Sequence, residues 1–165
     1  MTAETTICVA GASGLVGSNI VRAALQRGYA VNGTLRDKDA PEKACYLTAL
    51  PGAEKLSLFS AEMSDEASFV APLAGADGVF IACLIPTYRG SDGTPAKEMD
   101  DARGYAEIIM PTVDGCLNIL RAAYQQGVRT AVICSSTSST NPVPPVSVKN
   151  EVEHWSDADE QCREK

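Results

Sequence analysis

Cys8-Val9-Ala10-Gly11-Ala12-Ser13-Gly14-Leu15-Val16-Gly17 is an apolar run that breaks into three glycines at every third position. Ahead of the break, Thr5 to Ala10 has the β-branched, apolar composition of a strand buried on both faces. Behind it, Leu15 to Gln26 carries apolar residues at helical spacing. The stretch therefore reads as strand, tight turn, helix, and a turn of that kind is a place for phosphate. Gly11 would let the chain turn sharply, Gly14 would let backbone N–H groups approach a pyrophosphate, and Gly17 would let the helix pack close to the strand. The spacing is GxxGxxG rather than the commoner GxGxxG, so its meaning depends on the elements around it.

Those elements continue the rhythm. Gly28 is placed as the stop of the first helix, and Ala30 to Leu35 forms a second strand. Pro41 opens a short helix running to Leu50, and Pro51-Gly52 is a turn. Glu54 to Ser60 is a third strand, Ser64 an N-cap, and Asp65 to Ala74 a helix. Gly78 to Cys83 is the fourth strand, and Pro86 to Lys97 is a loop. A long helical region runs from Lys97 to Gln126, with Pro111 breaking or kinking it, and Thr130 to Cys134 is the fifth strand. Strands that alternate with helices and show no hairpin signal give an α/β, Rossmann-type doubly wound parallel sheet with helices on both faces. Right-handed crossovers favour the strand order 3-2-1-4-5. This dinucleotide-binding domain is expected over residues 1–140, with 141–165 an acidic loop or short helix.

Composition narrows the field. The 165 residues are 45% hydrophobic, enough for one domain's core, and no apolar run approaches the roughly 20 residues of a membrane span. The amino end lacks a signal-peptide pattern, so a soluble, cytoplasmic protein is expected. The formal net charge of −7 with only 5% aromatic residues argues against nucleic acid as a partner. Six cysteines, Cys8, Cys45, Cys83, Cys116, Cys134 and Cys162, are scattered without CxxC or Cys/His spacing and read as reduced, apolar core residues rather than disulfides or a metal site.

The end of the second strand chooses between cofactors. A carboxylate there bonds a ribose 2′-hydroxyl, whereas a basic side chain suits a 2′-phosphate. Arg36 follows Leu35 directly, and Lys43 stands one or two helical turns further on. Arg36 can offer a planar bidentate face and Lys43 a point charge, which favours NADPH over NADH. The competing reading is an ordinary solvated pair of Arg36 with the adjacent Asp37. Ser135-Ser136-Thr137-Ser138-Ser139 stands at the carboxyl end of the fifth strand, where a hydroxyl could bond a substrate carbonyl or simply form a polar turn. His154 is the sole histidine and no GxSxG elbow occurs, so a Ser/His hydrolase does not fit.

Val9 to Gly17, with Gly33-Thr34-Leu35-Arg36-Asp37 and Gly78-Val79-Phe80, resembles the extended short-chain dehydrogenase/reductases. Pro111-Thr112-Val113-Asp114-Gly115, Cys134-Ser135-Ser136, Trp155-Ser156-Asp157 and Cys162-Arg163 narrow the resemblance to the dihydroflavonol reductase and cinnamoyl-CoA reductase group. The resemblance implies NADPH as cofactor and hydride transfer to a ketone, aldehyde or thioester carbonyl of a small molecule. It implies that Gly11, Gly14 and Gly17 shape the phosphate turn, with backbone contacts from Ser13, Leu15 and Val16. Arg36 and Lys43 match its 2′-phosphate binders, Glu62 and Met63 the pair beside the adenine, Ala82 and Cys83 the cofactor-lining end of strand four. Ser136 matches the catalytic serine, which hydrogen-bonds the substrate oxygen as charge develops there.

Glu62-Met63 stands where the family has an Asp-Leu pair, which keeps the charge and lengthens the side chain, and two further departures are more serious. Ala10 stands where the family usually has Thr. The family's catalytic Tyr and Lys lie four residues apart, but Tyr29, Tyr46, Tyr88, Tyr105 and Tyr124 are followed at the fourth position by Gly33, Leu50, Asp92, Ile109 and Val128. By the family pattern the Tyr belongs a short way past Lys165. The expectation is a truncated reductase that binds cofactor but is inactive alone. The alternative is a non-catalytic NAD(P)-binding sensor or partner-binding module, and an epimerase of the same superfamily is disfavoured by Arg36 and Trp155. Substrate identity and oligomeric state stay open.

Overall fold

The computed structural model describes residues 4–84, 88–142, 144–150 and 152–157. Two compact units divide the chain, Met1–Cys134 and Ser135–Lys165.

In the first unit, five strands form one sheet: β1 (Thr6–Ala10), β2 (Ala30–Leu35), β3 (Leu56–Ser60), β4 (Gly78–Ile81) and β5 (Thr130–Ile133). Their order is β3-β2-β1-β4-β5, with every pairing parallel, as the alternation of elements predicts. The helices are α1 (Leu15–Gln26), α2 (Pro41–Thr48), α3 (Val70–Leu73), α4 (Asp101–Gly104) and α5 (Met110–Gln125). Successive side chains of a strand point to opposite faces, and β1 divides its residues accordingly. Cys8 and Ala10 join Phe69, Leu73, Ile81 and Ile119 in one cluster beneath α3 and α5, while Ile7 and Val9 join Val21, Leu25, Val31 and Leu47 in another beneath α1 and α2. Both clusters need β1 at the centre, so the strand that feeds the glycine turn is the most completely buried.

Several boundaries move for local reasons. Residues 53–55 form a 3-10 turn after Gly52 at φ +85°, so β3 begins at Leu56 and not at Glu54. β4 ends at Ile81, which pairs with Ala10, the last residue of β1, and β5 ends at Ile133 opposite it; Cys83 and Cys134 therefore lie just beyond their strands. The cap ahead of α3 is Asp65, whose carboxylate accepts the Ala67 N–H at 3.0 Å, and not Ser64. A 3-10 turn over Glu66–Phe69 replaces the first part of the expected helix, because Pro72 has no N–H to return to Ser68.

The long helical region also subdivides. After a 3-10 turn at Ala96–Glu98 the chain restarts at Asp100, whose carboxylate accepts the Arg103 N–H at 2.8 Å. Pro111 neither breaks nor sharply ends the helix. Instead Tyr105–Ile109 widens into a π turn that absorbs the missing N–H and the ring. Arg103 ties this turn to the loop before it, meeting Asp92 at 2.7 Å and Glu107 at 2.8 Å. Hydrogen bonds from the Thr94 N–H and side chain and then from Arg103 hold the Asp92 carboxyl well below the usual range, and Arg103 with the Ser91 N–H lowers that of Glu107.

In the second unit, the Ser139 N–H donates to Ser136 O at 3.0 Å and closes a 3-10 turn over Thr137–Thr140. Asn150 builds a further turn, its side chain accepting from the Val152 and Glu153 N–H groups, while the Asn150 N–H donates to His154 Nδ1 at 2.9 Å. The described residues beyond Asn141 form turns and no helix. Pro86, Cys162, Arg163 and the acids Glu151, Asp159, Glu160 and Glu164 lie outside the described residues.

Candidate functional site

Gly11 sits at φ +83°, the left-handed region that disfavours any side chain. It turns the chain out of β1 so closely over β4 that an added Cβ would stand 2.8 Å from Cys83 Cβ. Six residues later α1 crosses back over the turn, where a Cβ on Gly17 would stand 2.1 Å from Gly11 O. Helix α1 begins without a side-chain cap and without an acid in its first turn. Its first backbone bond runs from the Ser18 N–H to Gly14 O at 2.9 Å, so the N–H groups of Leu15, Val16 and Gly17 precede the ladder. The arrangement offers donors and the positive end of a helix to an anion.

The turn is braced from β2. Thr34, 2% exposed, accepts the Ala12 N–H on its carbonyl at 2.8 Å and the Gly11 N–H on its hydroxyl at 3.3 Å. It pairs with Ala10 in the sheet register, the position where the resembled family has Thr. A hydroxyl is thus delivered to the turn from the neighbouring strand. Sequence reasoning missed Thr34; the usable signal is a β-branched hydroxyl at the end of a strand otherwise buried as apolar.

At the carboxyl ends of β1, β2 and β4 opens a cleft of about 430 Å³. It is lined by Gly11, Ser13 and Gly14 of the turn, Thr34, Leu35 and Arg36 at the end of β2, Glu62 and Met63 after β3, and Ala82 and Cys83 after β4. A second cavity of about 460 Å³ shares Ser13, Gly14 and Arg36 and continues to Lys43. Arg36 and Lys43 are exposed and make no ion pair among the described residues. Asp37 and Glu42 line the same cavity, but the Asp37 carboxylate already accepts the Asp39 N–H at 3.0 Å and Glu42 stands in the first turn of α2. Leu15 and Val16 are 83% and 46% exposed and line neither cavity. Ser136 belongs to the second unit, where its carbonyl accepts from Ser139.

Met63 rests on α5. Met63 O accepts the Asn118 side-chain N–H at 2.9 Å, and the Met63 side chain occupies the space over Gly115, where a Cβ would stand 2.9 Å from Met63 Cβ. Gly115→Ala should push Met63 toward the cleft and lower the melting temperature by roughly 2–6 °C, an overpacking cost of about 1–2 kcal/mol. Thermal melting checks this, and a wild-type value would mean that the residue 63 segment yields freely.

Cys83 is the one thiol on the cleft wall. Burial pushes its pKa up to about 11 and that of Cys8, on the strand beside it, to about 12. The reactive form is the thiolate, so at neutral pH Cys83 presents an inert, apolar surface. Cys45, expected in the core, is exposed on α2. Iodoacetamide should therefore label Cys45 ahead of Cys8 and Cys83 at pH 8, with Cys83 labelling rising only as pH approaches about 11; mass spectrometry of the alkylated peptides measures the order.

A family model described as NAD(P)H-binding matches residues 11–164. Dihydroflavonol 4-reductase of Hordeum vulgare is 39% identical over 159 residues, covering 95% of this chain and 42% of that protein. The (2S)-flavan-3-ol-forming anthocyanidin reductase of Vitis vinifera is 32% identical over 157 residues, covering 93% and 43% respectively. The crystal structure of vestitone reductase from alfalfa superposes with a TM-score of 0.64 at 32% identity, covering 94% of this chain and 44% of that one. The chain thus spans about two fifths of the length of the relatives it matches.

Proposed function

Because the chain belongs to the NAD(P)H-binding family and to the dihydroflavonol reductase-like, extended short-chain dehydrogenase/reductases, we propose that its cleft holds NADPH for reduction of a carbonyl. The glycine turn and the opening of α1 receive the pyrophosphate, with backbone donors from Ser13, Leu15 and Val16. Arg36 and Lys43 hold the 2′-phosphate, Glu62 and Met63 flank the adenine, and Ala82 with Cys83 line the path of the nicotinamide half. When bound, the cofactor supplies a hydride. Ser136 would hydrogen-bond the substrate oxygen on which negative charge gathers. The relatives are flavonoid reductases by name, which makes a flavonoid-like ketone the first substrate class to try.

The observation that carries the choice of NADPH is that Arg36 and Lys43, neither in an ion pair among the described residues, line one cavity that opens from the glycine turn. Calorimetric titration of the chain with NADPH and NADH tests it. Tighter binding of NADPH is expected; equal or tighter binding of NADH would instead assign Asp37 to a ribose 2′-hydroxyl and overturn the choice.

A second reading is favoured by a specific feature: no Tyr among the 165 residues has a Lys four positions on. In the first reading that pair supplies the proton for the reduced carbonyl and tunes its donor. These residues alone would then bind cofactor without turning it over, as a non-catalytic sensor or partner-binding module also would. NADPH consumption with a panel of flavonoid ketones, aldehydes and thioesters separates the two: turnover by the 165-residue chain would show that another group protonates the product.

A further inference from the structure

Helix α2 brings Lys43 to the second cavity, and one turn later it reaches the glycine turn itself. The Tyr46 hydroxyl donates to the Ser13 carbonyl at 2.6 Å, across 33 positions of sequence. The peptide joining Ser13 to Gly14 is consequently held at both ends, since its N–H donates to Gly11 O at 3.1 Å. A peptide unit is planar, so fixing its carbonyl and its N–H fixes its rotation. Ser13 and Gly14 line both cavities. A Ser13 carbonyl free to swing could turn its partial negative charge toward a bound phosphate. Tied to Tyr46, it leaves that space to the N–H donors at the start of α1.

We propose that Tyr46 is a positioning residue for dinucleotide binding, holding the Ser13–Gly14 peptide in its anion-receiving rotation and coupling the helix that bears Lys43 to the glycine turn. The proposal rests on the reading that this turn receives a pyrophosphate. Core packing does not account for Tyr46, whose ring is 39% exposed. Partial burial raises the phenol above its ordinary value, against a smaller opposite pull from the Ser18 hydroxyl, so the donor proton is in place at neutral pH. Because the pyrophosphate is common to both cofactors, Tyr46 acts equally on NADPH and NADH, unlike Arg36, whose proposed partner is the 2′-phosphate that NADH lacks.

Tyr46→Phe in the 165-residue chain removes the hydroxyl and keeps the ring. Calorimetry should show NADPH and NADH each weakened about fivefold, with their ratio unchanged, as expected for one lost hydrogen bond. In the 15N–1H spectrum of the nucleotide-free chain, the Gly14 amide should shift, because its peptide carbonyl has lost a donor; a merely structural Tyr46 would not move that signal selectively. Wild-type affinity in Tyr46→Phe, loss confined to NADPH, or an unmoved Gly14 amide would each overturn the proposal. If wild-type chain binds neither nucleotide, the reading of the site fails and the proposal with it; if wild type binds and Tyr46→Phe binds equally well, the proposal fails alone.

Discussion

Gly17→Ala is expected to destabilise the fold by about 3 kcal/mol, to lower its melting temperature by roughly 6–12 °C, and to abolish measurable dinucleotide binding. The added methyl would stand 2.1 Å from Gly11 O, 2.8 Å from Gly11 C and 3.0 Å from Ala12 Cα. All three are backbone atoms, so no side-chain rotation relieves the contact. Either α1 lifts off the turn or the turn opens, and both outcomes dismantle the place where β1 delivers the chain to the helix. Gly14→Ala is the control. Its Cβ would meet only Gly11 O at 3.4 Å, an ordinary contact, and its backbone lies at φ −77°. That variant should melt within about 2 °C of wild type, a shift of under 1 kcal/mol. Equal melting of the Gly17 and Gly14 variants would show that the close approach of helix to turn is not where the stability resides.

Arg36→Ala carries the second large effect. A guanidinium donating to a dianionic phosphate contributes charge-assisted hydrogen bonds of about 1.5–3 kcal/mol, so NADPH affinity should fall roughly 10- to 100-fold. NADH has no phosphate at that position and should change less than about threefold, which collapses the preference between them. Lys43→Ala should act in the same direction more weakly, because a single ammonium on a flexible stem offers a point charge rather than a fork. The NADPH titration should also weaken with added salt, since both cations are exposed and screened. Competition with 2′,5′-ADP against 5′-ADP gives an independent measure on the same variants. An unchanged ratio of NADPH to NADH affinity in Arg36→Ala would show that Arg36 pairs with solvent and not with cofactor.

Local signals were sufficient where the physics is local. Gly28 at φ +82° ends α1, Pro41 opens α2, and Ala30–Leu35 is a strand with the bounds its composition indicates. They failed where the deciding partner lies elsewhere along a helix. Ser64 looked like a cap, but Asp65 reaches the Ala67 N–H, and Pro72 tightens the turn that follows. Pro111 was expected to break or kink the helix, and of the two the break does not occur, because a π turn over Tyr105–Ile109 carries the helix past it. The site shows the same division. Gly11, Ser13, Gly14, Arg36, Glu62, Met63, Ala82 and Cys83 come together on one cleft, because a doubly wound sheet brings the carboxyl ends of its strands to one edge. Thr34 and Tyr46 escaped notice, since a buried hydroxyl and a half-exposed ring have no sequence spacing that betrays a contact with Gly11 or Ser13.

The amino-acid sequence by itself determined that strands alternate with helices, that their order is 3-2-1-4-5, and that a glycine turn lies after the central strand. Hydrophobic period, turn residues and the handedness of crossovers act over a few residues and are written in order along the chain. Only the tertiary structure decided which glycine is irreplaceable, which hydroxyls brace the turn, and that Arg36 and Lys43 line one cavity with no ion pair to either among the described residues. Those properties belong to distances set by the packed turn, helices and strands, from Gly17 against Gly11 to Tyr46 against Ser13, and such distances exist only once the sheet has assembled.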